Sequence, residues 1–190
     1  MLRKTPLTAV SDERRRQEHS GKYADRAPPD WKGQPPSLAQ EAEWLFETAK
    51  QVLSTDGYHS LMVFLRLPGG GRKLLQLTPA DRAEKFLHWD EVATEVEKTG
   101  ADSLIVISES WFAPFDAEHP DRPAAESPER KEVLAVDAES ADGETFSLMV
   151  EFCRQAGEIK FKEAAPVKYA QGGYLEPIRR AWKTRPQSKK

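Results

Sequence analysis

Cysteine is almost absent from this sequence, in which Cys153 is the only one among 190 residues. A single cysteine excludes an intrachain disulfide and a zinc site built from several thiolates. Long apolar runs are missing too, because Leu61–Leu65 and Leu104–Ile107 are far shorter than the ~20 residues that a membrane-spanning helix needs. The first residues also lack the ~7 to 15 apolar positions of a signal-peptide core. We therefore expect a cytoplasmic protein that does not contact a membrane.

Charge is distributed unevenly along the chain. The formal net charge of the whole chain is −3. Residues 1–26 hold seven Lys/Arg against four Asp/Glu, a charge of +3, and residues 174–190 hold six against one, a charge of +5. The residues between them therefore carry −11. Basic arms on an acidic body are typical of proteins that contact nucleic acid or acidic partners. Solubilising tails that dock on their own acidic domain show the same pattern and are the more common case.

Three segments follow from composition. Residues 1–36 contain two Pro-Pro pairs and no sustained apolar period, which predicts a disordered or loosely docked N-terminal arm. Residues 37–163 carry the periodic apolar patterns of a single α+β domain. Residues 164–190 form a basic and aromatic C-terminal tail, which we expect to be a flexible arm as well.

The domain pattern predicts two helices among several strands. A capping box at Ser37 and Gln40 starts the first helix, and Thr78-Pro79 starts the second, which ends at Gly100. Between and after them lie apolar or alternating stretches at 58–67, 72–77, 103–112, 131–139, 144–154 and 159–161. This order predicts an α+β fold with a mostly antiparallel sheet of about five or six strands and two helices packed on one face.

The connection from residue 113 to 130 is longer than most loops, and loops of this length are often functional. It offers oxygen and imidazole ligands that could hold a divalent cation, namely Asp116, Glu118, His119 and Asp121. Their spacing matches no recognised metal motif, so a solvated charged loop stiffened by prolines is the alternative.

The two strands that flank this loop carry ionisable residues where they meet it. Glu109 ends one strand, and Arg130 and Glu132 begin the next. If the strands pair, the three groups converge and could serve as an acid/base or polar-ligand site, with Trp111 as its apolar wall. The alternative is an ion pair that closes the end of a hairpin.

The C-terminal stretch mixes aromatic and basic residues, which is typical of a segment that binds a protein groove or stacks on nucleic-acid bases. An alternative follows from spacing, because Tyr174, Ile178 and Trp182 lie four residues apart and could pack a turn of helix onto their own domain. The candidate partner-binding residues are Trp111, Tyr174, Arg179, Arg180, Trp182 and Lys183.

The remaining residues of chemical interest form no motif. His59, His88 and His119 show no metal-ligand or catalytic spacing, and Cys153 would need a nearby base that sequence does not reveal. The glycine run at 69–71 lacks the spacing of a phosphate-binding loop. We therefore predict no cofactor, and the sequence leans against an enzyme.

One part of the chain resembles a known group of proteins. The stretch from Glu109-Ser110-Trp111, through the segment 128–132, to Asp142-Gly143 resembles small bacterial and phage proteins with a similar strand, proline-rich loop and strand. The resemblance implies a bacterial or phage source and carries no assigned activity.

Three functions remain open at this point. The first is a non-enzymatic interaction or accessory protein that binds a protein partner or a second copy of itself through its arms. The second is a nucleic-acid-associated protein that uses the basic tails. The third is a small hydrolase-like acid/base enzyme at Glu109, Arg130 and Glu132.

Overall fold

The computed structural model describes residues 8–9, 35–166 and 173–184. The expected N-terminal arm therefore lies outside the described residues, except for 8–9 and 35–36. The helices are α1 (Leu38–Asp56), α2 (Arg82–Thr99) and α3 (Glu176–Thr184), with 3-10 turns at Ala124–Glu126 and Gly173–Leu175. The strands are β1 (Thr8–Ala9), β2 (Leu61–Arg66), β3 (Arg72–Leu77), β4 (Ser103–Phe112), β5 (Lys131–Ser140), β6 (Thr145–Gln155), β7 (Glu158–Phe161) and β8 (Ala165–Pro166).

One sheet contains all eight strands, in the order β1-β3-β2-β4-β5-β6-β7, with β8 also paired to β6. Every pairing is antiparallel. The predicted α+β class and the six predicted strands are confirmed, and β1 and β8 add two residues each at the margins. None of the described helices is long and apolar enough to cross a membrane.

Local signals define the ends of the two longer helices. The Ser37 hydroxyl accepts from the Gln40 amide at 3.2 Å, and the Gln40 side chain accepts from the Ser37 amide at 3.0 Å, so the predicted capping box is present. Gly57 and Gly100 end α1 and α2 in the left-handed conformation, each with φ of 76°. The start of α2 is later than predicted, because Asp81 rather than Thr78 is the residue that caps it.

The two predicted helices lie on opposite faces of the sheet, so the expectation that they share one face is wrong. α1 packs over Ile105, Ile107 and Leu134, whereas α2 packs over the alternate residues, including Leu104 and Val106. The four consecutive aliphatic residues of β4 are all buried because successive side chains of a strand point to opposite faces. An apolar run of that kind requires cover on both sides of the sheet.

The C-terminal segment 173–184 forms part of the core. Leu175, Ile178 and Ala181 are buried in the cluster beside α2, and the Tyr174 ring lies 4.8 Å from the ring of Trp89. The expectation of a flexible arm is therefore wrong for these residues, and the alternative of a short helix packed on its own domain is confirmed. The four-residue spacing of apolar side chains gives α3 one continuous apolar face, whose burial stabilises its docking.

Candidate functional site

Three charged residues meet on the side of α1, at the end of the sheet where β4 and β6 end and β5 begins. The register aligns Trp111 with Glu132 and Glu132 with Phe152, which places Glu109, Glu132 and Arg154 on one face. The Arg154 guanidinium donates from Nη2 to Glu109 Oε1 at 2.7 Å and from Nη1 to Glu132 Oε1. One arginine thus binds both carboxylates.

This network is also tied to the end of α1. Arg154 Nη2 donates to the carbonyl oxygen of Gly57 at 3.1 Å, and the amide of His59 donates to Glu109 Oε2 at 3.0 Å. A cation at the carbonyl end of a helix is favoured by the helix dipole. Partial burial opposes the charge of Arg154, but its hydrogen bonds to Glu109 and Glu132 prevail and raise the pKa of the guanidinium above its ordinary value.

Arg130 does not join the two glutamates, so the predicted convergence of Glu109, Arg130 and Glu132 is only half correct. Its guanidinium carbon lies 4.9 Å from the centre of the Trp111 ring, and its Nη1 donates to the Ala125 carbonyl oxygen at 2.6 Å. Both contacts hold Arg130 at the surface, where the long loop joins β5. The arginine that sequence reasoning missed, Arg154, lies two residues after Phe152 in the alternating pattern of β6, and extending that alternation would have placed it on the correct face.

Exposed aromatic side chains surround the same end of the sheet. Five large apolar side chains are exposed in the part of the chain that the structure describes, and four of them belong to this end: Tyr58 at 63%, Trp111 at 44%, Phe112 at 42% and Phe115 at 80%. Tyr58 is placed here because its two neighbours, Gly57 and His59, bond Arg154 and Glu109. We call these four residues with Arg130 the aromatic end. Phe86, the fifth exposed residue, lies on α2.

The acidic cluster of the long loop is organised around its first member. Asp116 accepts from the amides of Glu118 and His119, from His119 Nδ1 at 3.2 Å and from Arg122 Nη1 at 3.1 Å. Desolvation by itself raises the pKa of Asp116, but the hydrogen bonds from Glu118 and His119 and the charge of His119 together outweigh it and lower the pKa below its ordinary value. No group of three or more His, Cys, Asp or Glu side chains within the described ranges is arranged to hold a metal ion, so the structure does not unite Asp116, Glu118, His119 and Asp121 as ligands.

Most of the candidate partner-binding residues of α3 contact the protein's own domain. The Tyr174 hydroxyl donates to Asp137 Oδ2 at 2.7 Å, Arg179 donates two hydrogen bonds of 2.7 Å to Glu139, and Trp182 Nε1 donates to the Ala101 carbonyl oxygen. Burial and the Asp137 charge raise the pKa of Tyr174, and burial raises the pKa of Asp137. Arg180 and Lys183 are the members of this group that remain exposed on α3.

Comparisons with known proteins identify a family for nearly the whole chain. A family model described as bacteriophage lambda protein ea47 matches residues 5–190. Neither the comparison with curated proteins nor that with solved structures finds a match. The match agrees with the resemblance to phage proteins in the segment around Glu109 and Trp111, and it extends over both ends of the chain. The chain belongs to the family of bacteriophage lambda protein ea47.

Proposed function

We propose that this protein is a non-enzymatic accessory protein that binds another protein through the aromatic end. The observation that carries the proposal is that four of the five exposed large apolar side chains of the described residues surround one end of the sheet. Exposed apolar residues scattered singly are ordinary, whereas a group of them marks an interaction surface.

The composition of the aromatic end favours a protein partner. Tyr, Trp and Arg are the residue types that most often dominate the binding energy of protein interfaces. The stacking of Arg130 on Trp111 fixes both side chains before any partner arrives, which reduces the entropy that binding would cost. The ion network of Arg154 supports this surface by joining β4, β5, β6 and the end of α1.

The aromatic end takes the place of most of the C-terminal residues that the sequence suggested for partner binding. Tyr174, Arg179 and Trp182 are engaged by Asp137, Glu139 and Ala101, so α3 offers a partner only Arg180 and Lys183 from that candidate group. The N-terminal arm lies outside the described residues, and its contribution stays a prediction.

The two alternative functions receive less support. Residues 35–166 hold thirteen Lys/Arg against twenty-five Asp/Glu, and such an acidic body repels the phosphates of nucleic acid. For the enzyme alternative, Glu109 and Glu132 are both bound by one shared arginine, Arg154, and Arg130 is engaged by Trp111 and the Ala125 carbonyl oxygen.

Affinity capture with matched variants tests the proposal. Full-length wild type, a double variant Trp111→Ala/Phe115→Ala, and the control Phe86→Ala would each be immobilised and incubated with an extract of a bacterial host that also expresses a tagged copy of the full-length chain. We expect proteins that are retained by wild type and by the control to be lost from the double variant. The control removes an exposed aromatic ring of comparable size from α2, which packs on the face of the sheet opposite to Trp111, so it accounts for non-specific adhesion. Identical retention by all three baits would contradict the proposal, provided that their thermal unfolding midpoints agree.

A further inference from the structure

We infer that the partner that fits the aromatic end is a second copy of this chain, which would pair with the first about a two-fold axis. The inference rests on the proposed function and names its partner. It follows from the amount of apolar surface at this end and from the charges that surround it.

The apolar surface is large enough for a dimer of modest affinity. Phe112 follows Trp111 in β4 and points to the opposite face of the sheet, so it is left out of the area. If a whole aromatic side chain presents ~200 Å², the exposed fractions of Tyr58, Trp111 and Phe115 together offer on the order of 370 Å². A stable interface of standard size buries about 800 Å² on each partner, so these aromatic rings would supply nearly half of that area. The polar loop beside them would form the rim, as it does in most interfaces.

The described surface around the rings carries unpaired charges of both signs, so it is complementary to the same surface of a second copy. Arg130 is exposed, and it forms no ion pair with any residue that the structure describes. By contrast, five of the other described arginines each pair with a carboxylate, namely Arg66, Arg72, Arg122, Arg154 and Arg179. The exposed Arg180 of α3 is the other described arginine for which no ion pair is found. Within the same described ranges, the exposed loop carboxylates of Glu118, Asp121, Glu126 and Glu129 also form no ion pair.

A two-fold axis would satisfy both sets of charges at once. In an interface of this symmetry, a residue of one copy that contacts a residue of the other is matched by the reciprocal contact. Arg130 of each copy would then meet a loop carboxylate of the other, while the aromatic rings pack at the centre. The stacking on Trp111 and the bond to the Ala125 carbonyl fix the guanidinium but leave other N–H groups available for such a carboxylate.

Sedimentation velocity of the full-length protein over a wide range of concentration is the test. We expect a monomer and dimer in exchange, with a dissociation constant on the order of micromolar because the interface is of modest size. The variants Arg130→Glu and Phe115→Ser each alter an exposed side chain, and we expect each to weaken the dimer at least about tenfold. Lys98→Glu, which makes the same charge reversal on the exposed side of α2, should leave the dimer unchanged.

The outcomes separate this inference from the proposed function. A wild type that stays monomeric at all concentrations, or a dimer that neither Arg130→Glu nor Phe115→Ser weakens, would overturn the inference. If the captured proteins still depend on Trp111 and Phe115 in that case, the proposed function stands with a different partner. If the dimer is weakened by both variants and unaffected by Lys98→Glu, the second copy is the partner.

Discussion

The indole Nε1 of Trp182 donates a hydrogen bond to the carbonyl oxygen of Ala101 at 3.0 Å. Ala101 is fully buried just after the end of α2, so this bond ties the last helix to the core at a point 81 residues earlier in the chain. The substitution Trp182→Phe would leave a buried carbonyl without its donor, at a cost of about 1 to 3 kcal/mol in the free energy of unfolding.

The exposed face of the same helix supplies the control. Arg180→Ala alters an exposed residue of α3 and should change the free energy of unfolding by less than about 0.5 kcal/mol. Urea denaturation of both variants decides whether α3 belongs to the core. Equal stability of Trp182→Phe and Arg180→Ala would indicate that the hydrogen bond from Trp182 to Ala101 contributes nothing to the free energy of unfolding.

Tyr174→Phe should destabilise the protein more at neutral pH than in acid. The lost hydroxyl donates to Asp137, whose pKa is raised by burial above its ordinary value of 3.8. The folded protein therefore binds this proton more readily than the unfolded chain, and stability contributed at Asp137 falls as pH rises from 3.8 through the raised pKa. Above that pKa the hydroxyl stabilises a buried carboxylate, and its loss should cost about 2 kcal/mol.

The measurement for this variant is denaturant unfolding at pH 7 and near pH 4. Below the raised pKa, Asp137 is protonated and the lost hydrogen bond is between neutral groups, so the difference from wild type should shrink to about 1 kcal/mol. A difference that does not change with pH would mean that the hydroxyl does not interact with the charged form of Asp137.

Arg154→Gln should be clearly more harmful than Arg130→Gln. The first change removes the cation that Glu109 and Glu132 share, together with the bond to the Gly57 carbonyl. Since the Arg154 side chain is 36% exposed, solvent screening limits the loss to about 1 to 2 kcal/mol. Arg130→Gln removes an exposed stacking contact and should cost about 0.5 kcal/mol. Similar unfolding midpoints for the two variants in guanidinium chloride would argue against the Arg154 network as the support of this end.

Glu41→Gln should destabilise the hairpin of β2 and β3. Glu41 is 2% exposed and pairs with Arg66 and Arg72, which lie directly opposite each other on the two strands. Removal of its charge leaves two neighbouring guanidinium groups without a counterion, which we expect to cost about 2 to 3 kcal/mol because Arg72 can partly turn to solvent. Adding Arg72→Met to Glu41→Gln should recover part of that loss in thermal unfolding. A double variant no more stable than Glu41→Gln would show that repulsion between the guanidinium groups of Arg66 and Arg72 is unimportant.

The sequence by itself determined the features that depend on neighbours a few residues away. The Ser37 capping box and the left-handed Gly100 both appear where local rules predict them, because each is completed by groups within about one turn of chain. The alternation of β6 likewise predicted which of its residues face the core. These local signals were sufficient for the α+β class and for the main strands.

Only the tertiary structure decided which distant residues meet. Arg154 and Glu109 are 45 residues apart, and their contact requires the register of two strand pairings and the packing of α1 on that face. In sequence, the alternation of β6 gives the face of Arg154, but it does not show that Glu109 and Glu132 lie beside Arg154 and not beside Arg130. The opposite placement of α1 and α2 has the same origin, since the strand order places β4 in the middle of the sheet and both of its faces must be covered.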